Sequence, residues 1–230
     1  MLKRTLYFAT TSNVKFDQYA FIFKDFGFDI ERATTVASAL TEPQYDPSRP
    51  DADESMVNHP LRQIARFAEK WGQIPYMIED TSLVVDALSK KKAGASGLPG
   101  ADTKSWWRNL GAEGLLRLLE NETARSATFY CQIGVYLGRG HYDFARSELR
   151  GRIALDARQG EIALRNIPRT NPFFFHSIFE PDGYESTIAE LDVETFCEVD
   201  YRRKCAANIA DRLVKVAIEE SRQIQLFNDR

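Results

Sequence analysis

Residues 4–34 read RTLYFATTSNVKFDQYAFIFKDFGFDIERAT, and this stretch decides the fold class. Arg4–Ala9 is a short β-prone run, closed by the polar turn Thr10-Thr11-Ser12-Asn13. From about Val14, apolar side chains recur at Phe16, Tyr19, Ala20, Phe23 and Phe26. That 3/4 spacing predicts an amphipathic helix, which Gly27 ends. Phe28–Thr34 reads as the next strand. A strand, a helix and a strand in this order predict an α/β fold.

Working outward, Ala39–Ser55 is a long loop punctuated by Pro43, Pro47 and Pro50. A structureless stretch of that length in a compact domain is more often functional than idle. Leu61–Trp71 returns to helical spacing, and Pro75 breaks it. Tyr76–Ile78 reads as a brief apolar strand ending at Glu79-Asp80, with an apolar run at Leu83–Leu88. Lys90–Gly100 is a loop, and Thr103–Leu110 and Glu113–Glu120 read as two short helices separated by Gly111. Ser126–Leu137 and Tyr142–Ala154 are β-prone and flank Gly138-Arg139-Gly140, which predicts a long antiparallel hairpin. Ala206, Ile209, Ala210, Leu213, Val216 and Ala217 mark a closing amphipathic helix. The chain reads as a single domain of two lobes, about 1–124 with 190–230 and about 125–189. A groove between lobes is a common place for a ligand.

Composition removes several classes. With 230 residues and 43% hydrophobic content the chain can bury a sizeable core. A net charge of −3 and a pI near 5.7, with scattered basic residues, argue against a nucleic-acid binder. No apolar run approaches the ~18 residues of a membrane span. Cys131, Cys197 and Cys205 form no C-x-x-C pair and suit a reducing compartment, so a cytoplasmic location is expected. Each of the three cysteines reads as a small buried apolar residue. No Walker motif is present, and Gly94, Gly97 and Gly100 have the wrong spacing for a dinucleotide fingerprint. His59, His141 and His176 are too scattered for a zinc site.

Three segments carry chemistry. Thr10–Asn13 precede a helix, where free N–H groups and the helix dipole favour an anion, and Lys15 adds a cation; the bland reading is an ordinary N-cap. Glu79 and Asp80 are adjacent carboxylates whose repulsion a divalent cation would offset; a solvated acidic turn is the alternative. Phe173–Gly183, FFFHSIFEPDG, carries four phenylalanines that are either core or a stacking surface for a flat base.

Taken in order, these segments resemble the inosine triphosphate pyrophosphatase family along nearly the whole chain. Thr11-Ser12-Asn13 with Lys15 is similar to T-G-N-x-x-K, and Leu40-Thr41-Glu42-Pro43-Gln44 resembles L-x-E-x-Q. Glu79-Asp80-Thr81-Ser82-Leu83 resembles E-D-[ST]-G-L, the most specific of the set. Leu98-Pro99-Gly100 with Lys104, then Glu113-Gly114-Leu115, are similar to one branch of the family at matching spacing. Arg150-Gly151-Arg152-Ile153 resembles S-G-R-I. Phe179-Glu180-Pro181-Asp182-Gly183-Tyr184, with Thr187 and Ala189-Glu190, resembles F-x-P-D-G-Y-x-x-T-x-A-E.

The resemblance implies an elongated mixed sheet with flanking helices, two lobes enclosing a nucleotide cleft, and a homodimer. It also implies Mg²⁺-dependent cleavage of a nucleoside triphosphate between its α and β phosphates. In that reading Glu42, Glu79 and Asp80 hold the metal, Asp80 acts as general base, and Lys15 is catalytic. Thr11, Ser12, Asn13, Lys15, Lys104 and Arg202 bind the polyphosphate, and Phe173, Phe175, His176 and Tyr201 line the base end. Departures cluster. Lys15 stands one position early, the helix around Gln63-Ile64 lacks the usual lysine, and Ser82 replaces a glycine. F-G-[WY]-D-P-x-F becomes Phe173–Phe179 with His176 in the Asp position, and S-H-R becomes Asp200-Tyr201-Arg202. These changes predict an altered base preference, and leave two further readings: a pyrophosphatase for pyrimidine or modified nucleotides, and a nucleotide sensor that has lost catalysis.

Overall fold

The computed structural model describes residues 4–35, 74–90, 97–100, 102–138, 141–158 and 175–228. Strand β1 (Arg4–Phe8) leads into helix α1 (Asn13–Lys24) and strand β2 (Phe28–Arg32). Ser12 caps α1, its hydroxyl accepting the Lys15 N–H at 3.2 Å, and Gly27 takes a left-handed φ of 79° to turn the chain into β2. After β3 (Tyr76–Val85) come a short helix α2 (Asp86–Lys90), the two-residue strand β4 (Pro99–Gly100) and helix α3 (Thr103–Leu118). Gly111, at φ 62°, kinks α3 where the sequence separates two helices. Strands β5 (Ser126–Gly138) and β6 (His141–Ile153) form the expected hairpin, followed by β7 (Phe179–Pro181), α4 (Val193–Val199) and α5 (Tyr201–Asn228).

Among the described residues, the strands make one open mixed sheet in the order β2-β1-β3-β5-β6-β7, with β4 added to β3. β1 is parallel to β2 and β3; the remaining pairs are antiparallel. The main core lies on the face covered by α1 and α5, where Met77, Leu83, Phe129, Cys131 and Ile133 are fully buried with Tyr19, Phe23, Cys205 and Ile209. A smaller cluster, Ala9, Ala33, Tyr76, Ile78 and Tyr136, packs on the opposite face.

One expectation is corrected. The strand predicted to end at Glu79-Asp80 continues through both carboxylates to Val85. β5 pairs with it at every position, including Asp80↔Gln132 and Thr81↔Cys131. Pairing with a long central strand overrides the weak β-propensity of Asp and Ser. The consequence is geometric: successive strand residues face opposite sides. Glu79 and Thr81 look toward α1 and α5, whereas Asp80 and Ser82 look away. The loop 39–55 and the helix predicted at 61–71, with Glu42 and Phe173, lie outside the described residues.

Candidate active site

Among the described residues, the sheet has a gap beside its central strand. β1 meets β3 only at Tyr7↔Tyr76 and Phe8↔Met77, and β4 rejoins it at Leu83 and Val84. Between those points, the Ile78–Ser82 edge has no strand partner on that side among the described residues. The first turn of α1 sits over this gap, since Lys15 Nζ approaches the Glu79 carbonyl at 3.4 Å. α3 starts at its other end, where the Thr103 hydroxyl accepts the Leu83 N–H at 2.9 Å. Crevices beside the carboxyl ends of parallel strands, next to a helix N-terminus, are common ligand sites in α/β sheets.

Glu79 is the electrostatic centre. Its side chain is fully buried, with Lys15 Nζ 3.0 Å from Oε2 and Arg202 Nε 3.8 Å from Oε1. Thr81 donates its hydroxyl to Oε1, and the Cys131 thiol reaches it at 3.8 Å. Burial on its own would raise the carboxyl pKa, but Lys15, Arg202 and the Thr81 hydroxyl together hold it below the usual range. Glu79 is therefore ionised. Arg202 is anchored by Gln18 Oε1 at 3.1 Å and Thr81 Oγ1 at 3.3 Å, and its main-chain N–H bonds Asp200 Oδ1 at 2.9 Å. Burial pulls the guanidinium pKa down, yet the neighbouring Tyr201 and Glu79 more than restore it. The Glu79 carboxylate thus faces two cations beside the gap.

Two of the residues expected at the base end, His176 and Tyr201, pack on Phe129. Tyr201 stacks on that ring at 5.1 Å with an interplanar angle of 5°, and His176 meets it edge-on at 6.1 Å. Phe175 is buried edge-on against Trp107, at 5.1 Å. Burial, assisted by Arg202, pushes His176 down to about 3, so its imidazole is neutral at physiological pH. The Tyr201 hydroxyl is buried with no hydrogen-bond partner among the described residues, and burial raises its pKa.

The fold thus brings Lys15, Glu79 and Arg202 into contact, from segments 64 and 123 residues apart in sequence. It gathers His176 and Tyr201 around Phe129, and sets Asp80 on the other face of the sheet. At the N-terminal turn, Ser12 acts as helix cap, Thr11 is exposed, and Asn13 accepts a bond from Arg32 at 2.7 Å. Lys104 is exposed on the first turn of α3. Sequence reasoning passed over Gln18 and Cys131. Gln18 stands three residues after Lys15, which puts both on one side of α1; Cys131 carries no such signal.

Among the described residues, no three His, Cys, Asp or Glu side chains converge on one point. The donor chemistry still suits a hard divalent cation. Glu79 Oε2 is a buried carboxylate oxygen whose contact among the described residues is the Lys15 ammonium at 3.0 Å. Mg²⁺ characteristically takes one or two carboxylates and fills its remaining positions with water and substrate phosphate.

A model of the Ham1 family matches residues 6–212. A protein named dITP/XTP pyrophosphatase from Methanopyrus kandleri is 30% identical, over 89% of this chain and 93% of its own length. One named inosine triphosphate pyrophosphatase, from Yarrowia lipolytica, is 31% identical over 61% of this chain and 65% of its own. A solved HAM1 protein from Coxiella burnetii superposes with a TM-score of 0.68 at 18% identity, covering 92% of this chain and 99% of that one. The mixed open sheet with flanking helices is therefore shared with solved structures.

Proposed function

The chain belongs to the Ham1 family, and from that premise we propose that it is a nucleoside triphosphate pyrophosphatase, hydrolysing a nucleoside triphosphate to monophosphate and pyrophosphate. The observation that carries this reading is the Ile78–Ser82 edge, open among the described residues, beside which Lys15 and Arg202 both meet the Glu79 carboxylate. A polyphosphate is the ligand that such a place accepts. Its oxygens would take over the contacts that Lys15 and Arg202 now make with Glu79, and the freed carboxylate would turn to a metal.

In this reading Glu79 and Asp80, from the two faces of the β3 edge, would hold a Mg²⁺ ion with Glu42, and the ion would neutralise phosphate charge. Lys15, Lys104 and Arg202 neutralise the rest, and Thr11, Ser12 and Asn13 offer hydroxyl, amide and N–H groups at the start of α1. Asp80 takes the proton of the attacking water at the α–β bridge. Phe173, Phe175, His176 and Tyr201 face the base. The His176 imidazole is neutral and so offers one donor and one acceptor, where the family's Asp accepts only. The names of the relatives support inosine- and xanthosine-type substrates, and the His176 and Tyr201 exchanges support a preference shifted away from them. The long β5–β6 hairpin is proposed as the core of the second lobe, and a cytoplasmic homodimer as the working form.

Pyrophosphate release across inosine, xanthosine, adenosine, guanosine and pyrimidine triphosphates, with Mg²⁺ and with a chelator, tests the reading. Turnover of at least one triphosphate is expected, abolished by the chelator, and reduced at least ~10²-fold in Asp80→Asn. Tight triphosphate binding without turnover would instead establish the sensor reading.

A further inference from the structure

Gln132 lies at the centre of β5, 2% exposed, and its Oε1 is buried with no hydrogen-bond partner among the described residues. An amide oxygen left in that state costs about 1–3 kcal/mol, and a leucine there would avoid the penalty. Its position is informative. β5 pairs with β3 so that Gln132 is directly opposite Asp80, and with β6 so that Arg146 flanks it on the other side. Directly opposed residues on antiparallel strands share a face, with Cβ atoms about 4.5–5.5 Å apart. Two acceptors on such a pair can both bond a single water molecule. On that face of β5 its neighbours are Gly134, which contributes no side chain, and Tyr130, whose ring lies under the Arg146 guanidinium at 4.3 Å.

We propose that Gln132 is a catalytic residue of the hydrolysis, its Oε1 holding the attacking water against Asp80. This inference rests on the reading of Asp80 as general base. Water donates one hydrogen to Asp80 and the other to Gln132, which turns an oxygen lone pair toward the phosphorus. The water oxygen forms the new P–O bond, the α–β bridging bond breaks, and its electron pair leaves with the departing phosphate product. The transferred proton passes to Asp80; Gln132 takes none. A buried acceptor left without a protein partner is the kind of group that a bound water can satisfy.

Three variants test it, with steady-state kinetics on the best triphosphate of the panel and thermal unfolding measured in parallel. Gln132→Leu and Gln132→Met delete the acceptor. Both should lower kcat about 10- to 100-fold, the range expected for misplacing a reactant. KM should stay within about twofold, and the unfolding midpoint should stay level or rise, since an unsatisfied buried oxygen has been removed. Gln132→Glu restores an acceptor, and its kcat should exceed that of both deletions. Deletion variants that keep wild-type kcat overturn the proposal, as does a loss of activity that follows a loss of stability, or a Glu variant no faster than Leu. Each of those results leaves the pyrophosphatase reading standing; a wild-type chain that hydrolyses no triphosphate sinks both.

Discussion

Lys15 and Arg202 both meet the buried Glu79 carboxylate, and their removal gives the sharpest test of what the gap binds. Lys15→Met and Arg202→Met keep most of the side-chain volume and delete the charge. Each should weaken triphosphate binding about 10- to 100-fold, matching a lost charge-assisted hydrogen bond of ~1.5–3 kcal/mol. Nucleoside affinity should change less than threefold. Calorimetric titration of both ligands decides, and equal losses on both would remove these residues from the phosphate end. His176 makes a second prediction. Its pKa is about 3 in the folded chain and near 6.5 unfolded, so below pH 6.5 the unfolded state binds the extra proton. This contribution to stability is complete above pH 6.5 and is lost progressively as pH falls toward 3. By pH 5 the loss is about 2 kcal/mol. Between pH 7.5 and 5 the unfolding midpoint of wild type should fall relative to that of His176→Leu; parallel curves would show that His176 is not the titrating group.

Secondary-structure elements meet at close contacts that small residues permit. Gly151 of β6 faces β7, and a Cβ built there would come within 2.1 Å of the Glu180 carbonyl oxygen and 2.7 Å of the Phe179 ring. Gly151→Ala should therefore push β7 away from the sheet and cost several kcal/mol, as overpacking against backbone does. Gly111→Ala is a contrast: its Cβ meets nothing within 4 Å, and only the left-handed φ of 62° opposes it. That variant should lose about 1 kcal/mol. Denaturant midpoints of the two in one experiment check the ranking, and a Gly151→Ala chain as stable as Gly111→Ala would contradict the contact. The motif match at Arg150-Gly151-Arg152-Ile153 thereby acquires a physical reason in the approach of β7.

Across the whole molecule, α1, β3 and α5 converge on the gap, so a ligand there ties together segments far apart in the chain. Saturating triphosphate with Mg²⁺ should raise the unfolding midpoint. At about 100 times Kd the gain is ~2.7 kcal/mol, which for a chain of this size is roughly 5–10 °C. Nucleoside with Mg²⁺ should give a much smaller shift, because it leaves Lys15 and Arg202 on Glu79. Scanning fluorimetry measures both, and equal shifts would place the stabilising contacts at the base end alone.

The sequence by itself determined the βαβ opening, the long hairpin, the kink at Gly111 and the family, because each is written in local periodicity, turn residues or short motifs. It also picked out Lys15, Glu79, Asp80 and Arg202, since charged residues at turns and motif positions stand out in one dimension. Tertiary structure decided how they relate. Only the pairing of β3 with β5 shows that Glu79 and Asp80 lie in mid-strand and look to opposite faces. Only the return of α5 over the sheet brings Arg202 to Glu79 and Cys205 to Cys131. Gln132 carries no sequence signal, because an amide within a β-run means nothing until its cross-strand neighbour is known. Strand register and helix docking are set by long-range burial, which no local window contains.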